Sequence, residues 1–309
     1  MEPTMNHVAH LDQAADTAHS QVLLEQAFSP TVAQYLLQHP ESLAGQLREV
    51  TLLSVDLCGF ATLEELLSPT DCYNLSGDVM ELLTEIVVAN HGEVVDYYGD
   101  GLLALWNAPL DQPDHATLAC LAAQDMLRQL PIASKHWQYG LSEPLKLSVG
   151  IHTGPTLVGN AGTRNRIKYA PRGNIVNVVS RVQAATKQMQ LPLLMTKATH
   201  DQLSDDFFQL RVCTATLPGL NQQLDLYTAY ATCDVPQLSN HLDRYSEALE
   251  WFEAGNLATA ERLLEELASH DALTPARFLA QHTAIKKQAA QGRRAGDRLR
   301  GPVIDILGE

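Results

Sequence analysis

The stretch Glu93-Val94-Val95-Asp96-Tyr97-Tyr98-Gly99-Asp100-Gly101-Leu102-Leu103-Ala104-Leu105-Trp106 decides how the rest of the chain is read. Two runs rich in β-branched, aromatic and aliphatic residues flank Gly99-Asp100-Gly101. Glycine supplies the backbone freedom of a tight turn and the runs supply strands, so a β-hairpin with a lone carboxylate at its turn is predicted. An earlier apolar run, Val50-Thr51-Leu52-Leu53-Ser54-Val55, ends on a second acid, Asp56. Its nearly continuous apolar character predicts a strand buried on both faces. Two carboxylates at the ends of neighbouring strands can hold hard divalent cations while leaving positions open for phosphate oxygens. Strand-end aspartates also simply cap turns, and the pair by itself leaves both readings open.

Outward from this hairpin, strands and helices alternate without a regular repeat, which predicts an α/β or α+β domain. On the N-terminal side, a short helix is expected at Gln21 to Ala27. A second begins at Ser29-Pro30, where serine caps and proline fits the first turn, and stops near His39-Pro40. A short helical linker over Glu41 to Glu49 leads to the first strand. Cys58-Gly59-Phe60 reads as a turn. Leu75, Val79, Leu82, Leu83, Ile86 and Val87 recur at helical spacing in a helix ending at His91-Gly92. On the C-terminal side a helix is expected from about Pro113 to Leu130, and a strand from Leu145 to His152 that turns at Gly154-Pro155. A glycine-rich connection follows from Gly159 to Asn165, then a strand from Arg166 to Ala170. A helix from Ile175 to Lys187 and strands at Leu191 to Thr196, Phe207 to Ala215 and Leu224 to Tyr230 complete the domain. Asp234 to Asn240 reads as a linker. Beyond it Ala254-Gly255-Asn256-Leu257-Ala258-Thr259-Ala260-Glu261 is similar to a tetratricopeptide-type turn between two antiparallel helices, expected as a packing or dimerisation appendage. The divisions are thus a helical lead-in (1–48), a main domain (49–231), a helical pair (240–290) and a basic, disordered tail (291–309).

The formal net charge of −15 is poorly suited to tracking a nucleic-acid backbone, so no nucleic-acid partner is expected. Metal ions and a few local bases can still reconcile an acidic protein with a nucleotide triphosphate. The five cysteines show no paired spacing and read as free thiols of a reducing compartment. No apolar run approaches the ~20 residues of a membrane span, and Met1 to Ser20 is too polar for a signal peptide. A cytoplasmic protein is expected.

Asn177 and Arg181 form a second pair of interest. Four residues apart, they share one helix face, and arginine suits charge building on phosphate oxygens. Alone, the pair equally describes a solvated polar face over Ile175, Val178, Val179 and Val182. Together the pieces are more specific. The strand ending in Asp56 with its Gly59-Phe60 turn, Tyr98-Gly99-Asp100-Gly101, His152-Thr153-Gly154, Val158-Gly159-Asn160 and Gly173-Asn174-Ile175-Val176-Asn177-Val178-Val179-Ser180-Arg181 occur in order. In content and spacing they resemble the class III nucleotidyl cyclases, the adenylyl and guanylyl cyclase catalytic domain of soluble bacterial type, over about Glu49 to Ala231.

The resemblance implies an α+β fold: a ferredoxin-like sheet covered by helices, with flanking N- and C-terminal helices. It implies a phosphorus-oxygen lyase that converts a nucleoside triphosphate, ATP by default, to the 3′,5′-cyclic monophosphate and pyrophosphate, acting in second-messenger signalling. Asp56 and Asp100, helped by the carbonyl of Leu57, would hold two magnesium or manganese ions per site. Arg181 would stabilise charge on the α-phosphate and Asn177 would orient the ribose. In the family these two sets come from opposite subunits, which implies a homodimer with shared sites. Arg164 or Arg166 would contact phosphate, and the terminal helices would offer a regulatory protein partner a docking place.

The chain departs from the family at the base. Adenylyl cyclases carry an adenine-reading lysine where this chain has Asp96, and an aspartate or threonine where it has Ala170. Guanylyl cyclases carry glutamate at the first position, so Asp96, one methylene shorter, makes guanylate cyclase the alternative. An ionised carboxylate accepts hydrogen bonds and cannot donate; alternatively Asp96 points away and backbone reads the base. A lysine near the domain's end is also missing, since Leu217 to Gln223 holds no base; Arg164 or Arg172 would substitute. These losses motivate a second reading, a degenerate nucleotide-sensing or dimerisation module. Cyclic CMP or UMP as product is a third. His152, Cys58 and Trp106 are assigned to structure.

Overall fold

A computed structural model of the chain describes residues 28–137, 139–231, 235–268, 274–291 and 303–306. The helix expected at Gln21 to Ala27 and most of the tail lie outside them.

Helix α1 (Pro30–Gln38) is capped by the Ser29 hydroxyl, which accepts from the Val32 amide at 3.2 Å. A 3-10 turn (Pro40–Ala44) and strand β1 (Gln46–Leu57) replace the expected helical linker. Gln46 to Glu49 become strand because each finds a partner on β4, from Gln46 opposite Val158 to Glu49 opposite Pro155; tertiary pairing outweighs local preference. A short helix α2 (Phe60–Leu66) follows the Cys58-Gly59 turn, then α3 (Pro69–Ala89), β2 (Glu93–Tyr98), β3 (Gly101–Trp106) and α4 (His115–His136). Strand β4 (Leu147–Asn160) is continuous through Gly154-Pro155, where a turn was expected. Its edge facing β6 is paired only up to Ile151, and pairing to β5 starts at Leu157. Pro155 falls in the gap, where a missing N–H breaks no ladder bond.

The remaining elements are β5 (Tyr169–Arg172), α5 (Asn174–Met189), β6 (Leu193–Thr196), α6 (Lys197–His200), β7 (Phe207–Thr216), β8 (Gln223–Ala231), α7 (Val235–Glu253), α8 (Leu257–Ala268), α9 (Thr274–Gln291) and β9 (Ile304–Asp305). The sheet runs β2-β3-β1-β4-β6-β8-β7-β9, with β5 pairing β4 off the path. Along β2-β3-β1-β4 each strand is antiparallel to its neighbour. With α3 between β1 and β2 and α4 between β3 and β4, they form the expected ferredoxin-like unit.

The continuous hydrophobicity of β1 and β3 follows from burial on both faces. Leu53, Val55 and Leu57 join Leu102, Ala104 and Trp106 beneath α3 and α4. Val50 and Leu52 join Leu103 and Leu105 on the opposite face, under α1 and the start of α5. The period-2 alternation of a strand therefore sends Asp56 to the α5 face.

Three helices follow the sheet, not a pair, and α7 begins within the expected linker. Tyr245, Phe252, Leu264 and Leu279 share one core with Leu210, Val212 and Val182. The tail returns as β9, parallel to β7, with Ile304 fully buried.

Candidate active site

Two glycines bring the two strand-end acids together for different reasons. Gly99 has φ +58°, the left-handed conformation that lets the hairpin turn. Gly101 lies opposite Asp56, and a Cβ there would sit 2.2 Å from the Val55 carbonyl oxygen and 3.2 Å from Asp56 Oδ1. Only a glycine permits that approach. The Leu57 amide donates to the Asp100 carbonyl at 3.4 Å, tying the turn to the end of β1.

Asp56 lies opposite Gly101 in the β1–β3 ladder, one residue from Asp100, so the two carboxylates stand against each other. Burial and then the neighbouring Asp56 charge push Asp100 up to about 6. On the other side, the Lys187 ammonium from the last turn of α5 pairs with Asp56 Oδ2. The Ser148 hydroxyl donates to the Asp56 carbonyl at 3.2 Å and accepts from Gln183 Nε2 at 2.6 Å. Among the described residues no cluster of three or more His, Cys, Asp or Glu could hold a metal. The donor set is thus two carboxylates with nearby backbone oxygen, a hard set that leaves coordination positions for a ligand's oxygens.

Asn177 and Arg181 are exposed on α5 and make no side-chain bond with a described residue. The structure does not bring them to Asp56 or Asp100 of the same chain. Lys187 is the residue of α5 that faces Asp56, and Arg181 lies about 9 Å back along the helix and about 240° around it.

Asp96 is not the lone acceptor that the sequence suggests. Lys168 pairs with it through Oδ2, while Oδ1 accepts from the Tyr97 amide at 3.0 Å. The Lys168 ammonium also stands 5.8 Å from the Tyr98 ring centre. Ala170 is buried, opposite Gly159 in the β4–β5 ladder. Arg164 and Arg166 are exposed around a turn closed by the Thr163 amide on the Arg166 carbonyl at 2.9 Å. Arg172 is engaged elsewhere, donating to the Ala161 carbonyl at 2.5 Å.

Sequence reasoning missed both lysines. Lys168 leaves a signal, a base two residues before Ala170 answering the acid at position 96. Lys187 leaves none, since a helix-terminal lysine is ordinary at any C-terminus. Two of the residues assigned to structure, His152 and Trp106, are held by interior contacts. His152 bonds Thr196 Oγ1 at 2.8 Å, and burial lowers it to about 4, leaving it neutral. Trp106 is fully buried, its indole N–H on the Asn90 carbonyl at 2.8 Å.

Comparison with known proteins gives a consistent picture. The family model described as the adenylate and guanylate cyclase catalytic domain matches residues 43–227, more than half of the chain. The chain is 32% identical over 183 residues to adenylate cyclase 1 of Rhizobium meliloti, covering 58% of this chain and 27% of that one. It is 26% identical over 210 residues to an adenylate cyclase of Anabaena cylindrica, covering 66% and 41% respectively. It therefore spans less than half the length of either relative. Among solved structures, the adenylyl cyclase CyaB from P. aeruginosa superposes with a TM-score of 0.57 at 22% identity, over 61% of this chain and 96% of that one. The guanylate cyclase domain of RhGC from Catenaria anguillulae, in complex with GTP, gives 0.53 at 20% identity, over 60% and 98%. At such identity these two show the fold alone. No helix among the described residues is long and apolar enough to cross a membrane.

Proposed function

Because the chain belongs to the adenylate and guanylate cyclase catalytic domain family, we propose that it converts a nucleoside triphosphate, ATP by default, to its 3′,5′-cyclic monophosphate and pyrophosphate. The observation that carries the reading is the placement of Asp56 and Asp100 side by side where the hairpin turn meets the end of β1, with burial and then the Asp56 charge raising Asp100 to about 6. A crowded carboxylate pair is costly to keep ionised, and a divalent cation is what relieves it. Asp56 and Asp100, with the Leu57 carbonyl, would hold two Mg²⁺ or Mn²⁺ ions. When bound, such ions acidify the ribose 3′-hydroxyl and neutralise phosphate charge.

The chain's own residues supply the rest. Arg181 stabilises the charge that grows on the α-phosphate oxygens, and Asn177 orients the ribose. Both are exposed and without a side-chain partner among the described residues, which fits groups offered to a second copy of the chain. Each site of a homodimer then combines Asp56 and Asp100 of one subunit with Asn177 and Arg181 of the other. The exposed Arg164 and Arg166 remain available to phosphate, whereas the bond from Arg172 to the Ala161 carbonyl disfavours that residue.

At the base, Asp96 and Lys168 together offer an acceptor and a donor. Adenine presents an amine beside a ring-nitrogen acceptor and fits such a pair. GTP is the second reading, favoured by the carboxylate where guanylyl cyclases carry glutamate. The test is incubation of the purified chain, at high concentration, with each of the four nucleoside triphosphates and Mn²⁺, followed by identification of the product. Cyclic AMP is expected, with none from Asp56→Ala. No cyclic product from any triphosphate would overturn the activity, and undiminished product from Asp56→Ala would overturn the metal assignment.

A further inference from the structure

We propose that Lys187 is an alternating counter-ion. It neutralises Asp56 while the carboxylate centre holds no divalent cation, and it moves to the nucleotide's terminal phosphates when cation and nucleotide enter together. The inference rests on the cyclase reading above and adds to it a phosphate-holding residue from the subunit that supplies the carboxylates.

Three observations lead here. The first is position. The Lys187 ammonium sits on the carboxylate that a cation would need, and a positive ion arriving at Asp56 repels it. The second is mechanics. The backbone of Lys187 is held by the buried neighbours Ala185, Thr186 and Met189, while its side chain stays 41% exposed. A fixed base with a flexible four-carbon stem can change partners without moving the helix. The third is where it can go. A cavity of about 620 Å³ opens beside the turn; its wall is largely leucine and proline, and Cys58, Lys146, Ser148 and Lys187 stand on its polar edge. Two ammonium groups at one rim, in a chain of net charge −15, make a local site for an anion. Lys146 is largely exposed, with Glu143 3.8 Å away, and leaves Lys187 as the cation in direct contact with the centre. The need is independent of these facts, since Leu217 to Gln223 holds no base.

The experiment uses the full chain, with Lys187→Gln and Lys187→Arg, and begins without nucleotide. Mn²⁺ binding is followed by electron paramagnetic resonance. Removing the competing ammonium in Lys187→Gln is expected to tighten Mn²⁺ about tenfold, and to weaken manganese-tripolyphosphate, measured by calorimetry, about tenfold. KM for the triphosphate rises correspondingly with kcat little changed, and Lys187→Arg keeps near-native tripolyphosphate affinity. Mn²⁺ binding that is unchanged or weaker in Lys187→Gln overturns the proposal, because Lys187 would then only orient Asp56. Unchanged tripolyphosphate affinity overturns it as well. Neither binding measurement needs turnover. Both opposed shifts in Lys187→Gln, with no cyclic nucleotide from the wild-type chain, sink the cyclase reading alone; cyclisation by the wild-type chain without the shifts in Lys187→Gln sinks this proposal alone.

Discussion

Asp100 keeps its proton to about pH 6 because it is partly buried against a second carboxylate. The sign of the pH dependence follows. The folded value lies above the ordinary 3.8, so the metal-free fold binds an extra proton and loses stability as pH rises from 3.8 through about 6. Divalent cations need the ionised form, so their affinity is full above about 6 and falls below it. Mn²⁺ titrations between pH 5 and pH 8 should show weakening of up to about tenfold per pH unit on the acid side. The rise in melting temperature with Mn²⁺ should be larger at pH 7 than at pH 5, a difference that Asp100→Asn abolishes. A flat profile across that range would refute the assignment. Base choice is also set by single residues. Lys168→Ala leaves Asp96 as an acceptor without its ammonium, and should raise KM for the preferred triphosphate about tenfold while leaving Mn²⁺ binding intact; the nucleotide panel checks this. Asp56 and Asp100 were legible in the sequence because each ends a strand signalled by apolar runs. Lys187 was not, because its partner lies 131 residues away on another element. Lys168 was legible only as an unassigned base, since the fold-back of the β4–β5 connection onto β2 carries no local pattern.

The hairpin of β2 and β3 positions the centre through the contrast between its two glycines. At Gly101 a methyl group meets the backbone of Val55 and Asp56 rather than a yielding side chain. Gly101→Ala should therefore push the turn off β1, lower stability by about 1–3 kcal/mol and cut cyclase activity about 100-fold. At Gly99 nothing lies within 4 Å of an added Cβ, and only the φ of +58° is strained. Gly99→Ala should cost about 1 kcal/mol with most activity kept. Melting temperatures and initial rates of the two variants decide this, and equal losses would show that turn conformation, not strand approach, controls the centre. Elements of this kind were read well where their signal is local. The hairpin, α1 with its Ser29 cap and α3 with its helical spacing all lie close to expectation. Helix α2, seven residues long, is too short for periodicity to register. Gly154-Pro155 carries a turn's chemistry, yet β4 runs through it because β1 pairs along its whole length.

The molecule has three apolar cores, one on each face of β1 and β3 and one that the sheet shares with the C-terminal helices. Tyr245 joins them to the sheet, its hydroxyl donating to the Val212 carbonyl at 2.7 Å in a fully buried position. Arg211 adds a bridge to Glu253 at 3.0 Å. Ending the chain at Asp234 uncovers Leu210, Val212 and Val182, so the shortened protein should melt at lower temperature and aggregate rather than act as an unregulated domain. The sequence showed a helical pair here and not its anchorage, since the third helix and β9 gain their meaning only from β7. Placing Asn177 and Arg181 away from the carboxylates of their own chain makes the sharpest demand on the assembly. In the proposed two-fold dimer each site would take its acids from one subunit and its Asn–Arg pair from the other. Asp56→Ala alone and Arg181→Ala alone then spoil both sites of their homodimers. In a mixed dimer, both lesions fall in one site and the second site is intact. Unfolded and refolded together in equal amounts, half of the dimers are mixed, each with one working site, so about one quarter of wild-type activity should return. Activity that stays at the level of the separate variants, with mixed dimers verified by differential tagging, would mean that each chain completes its own site.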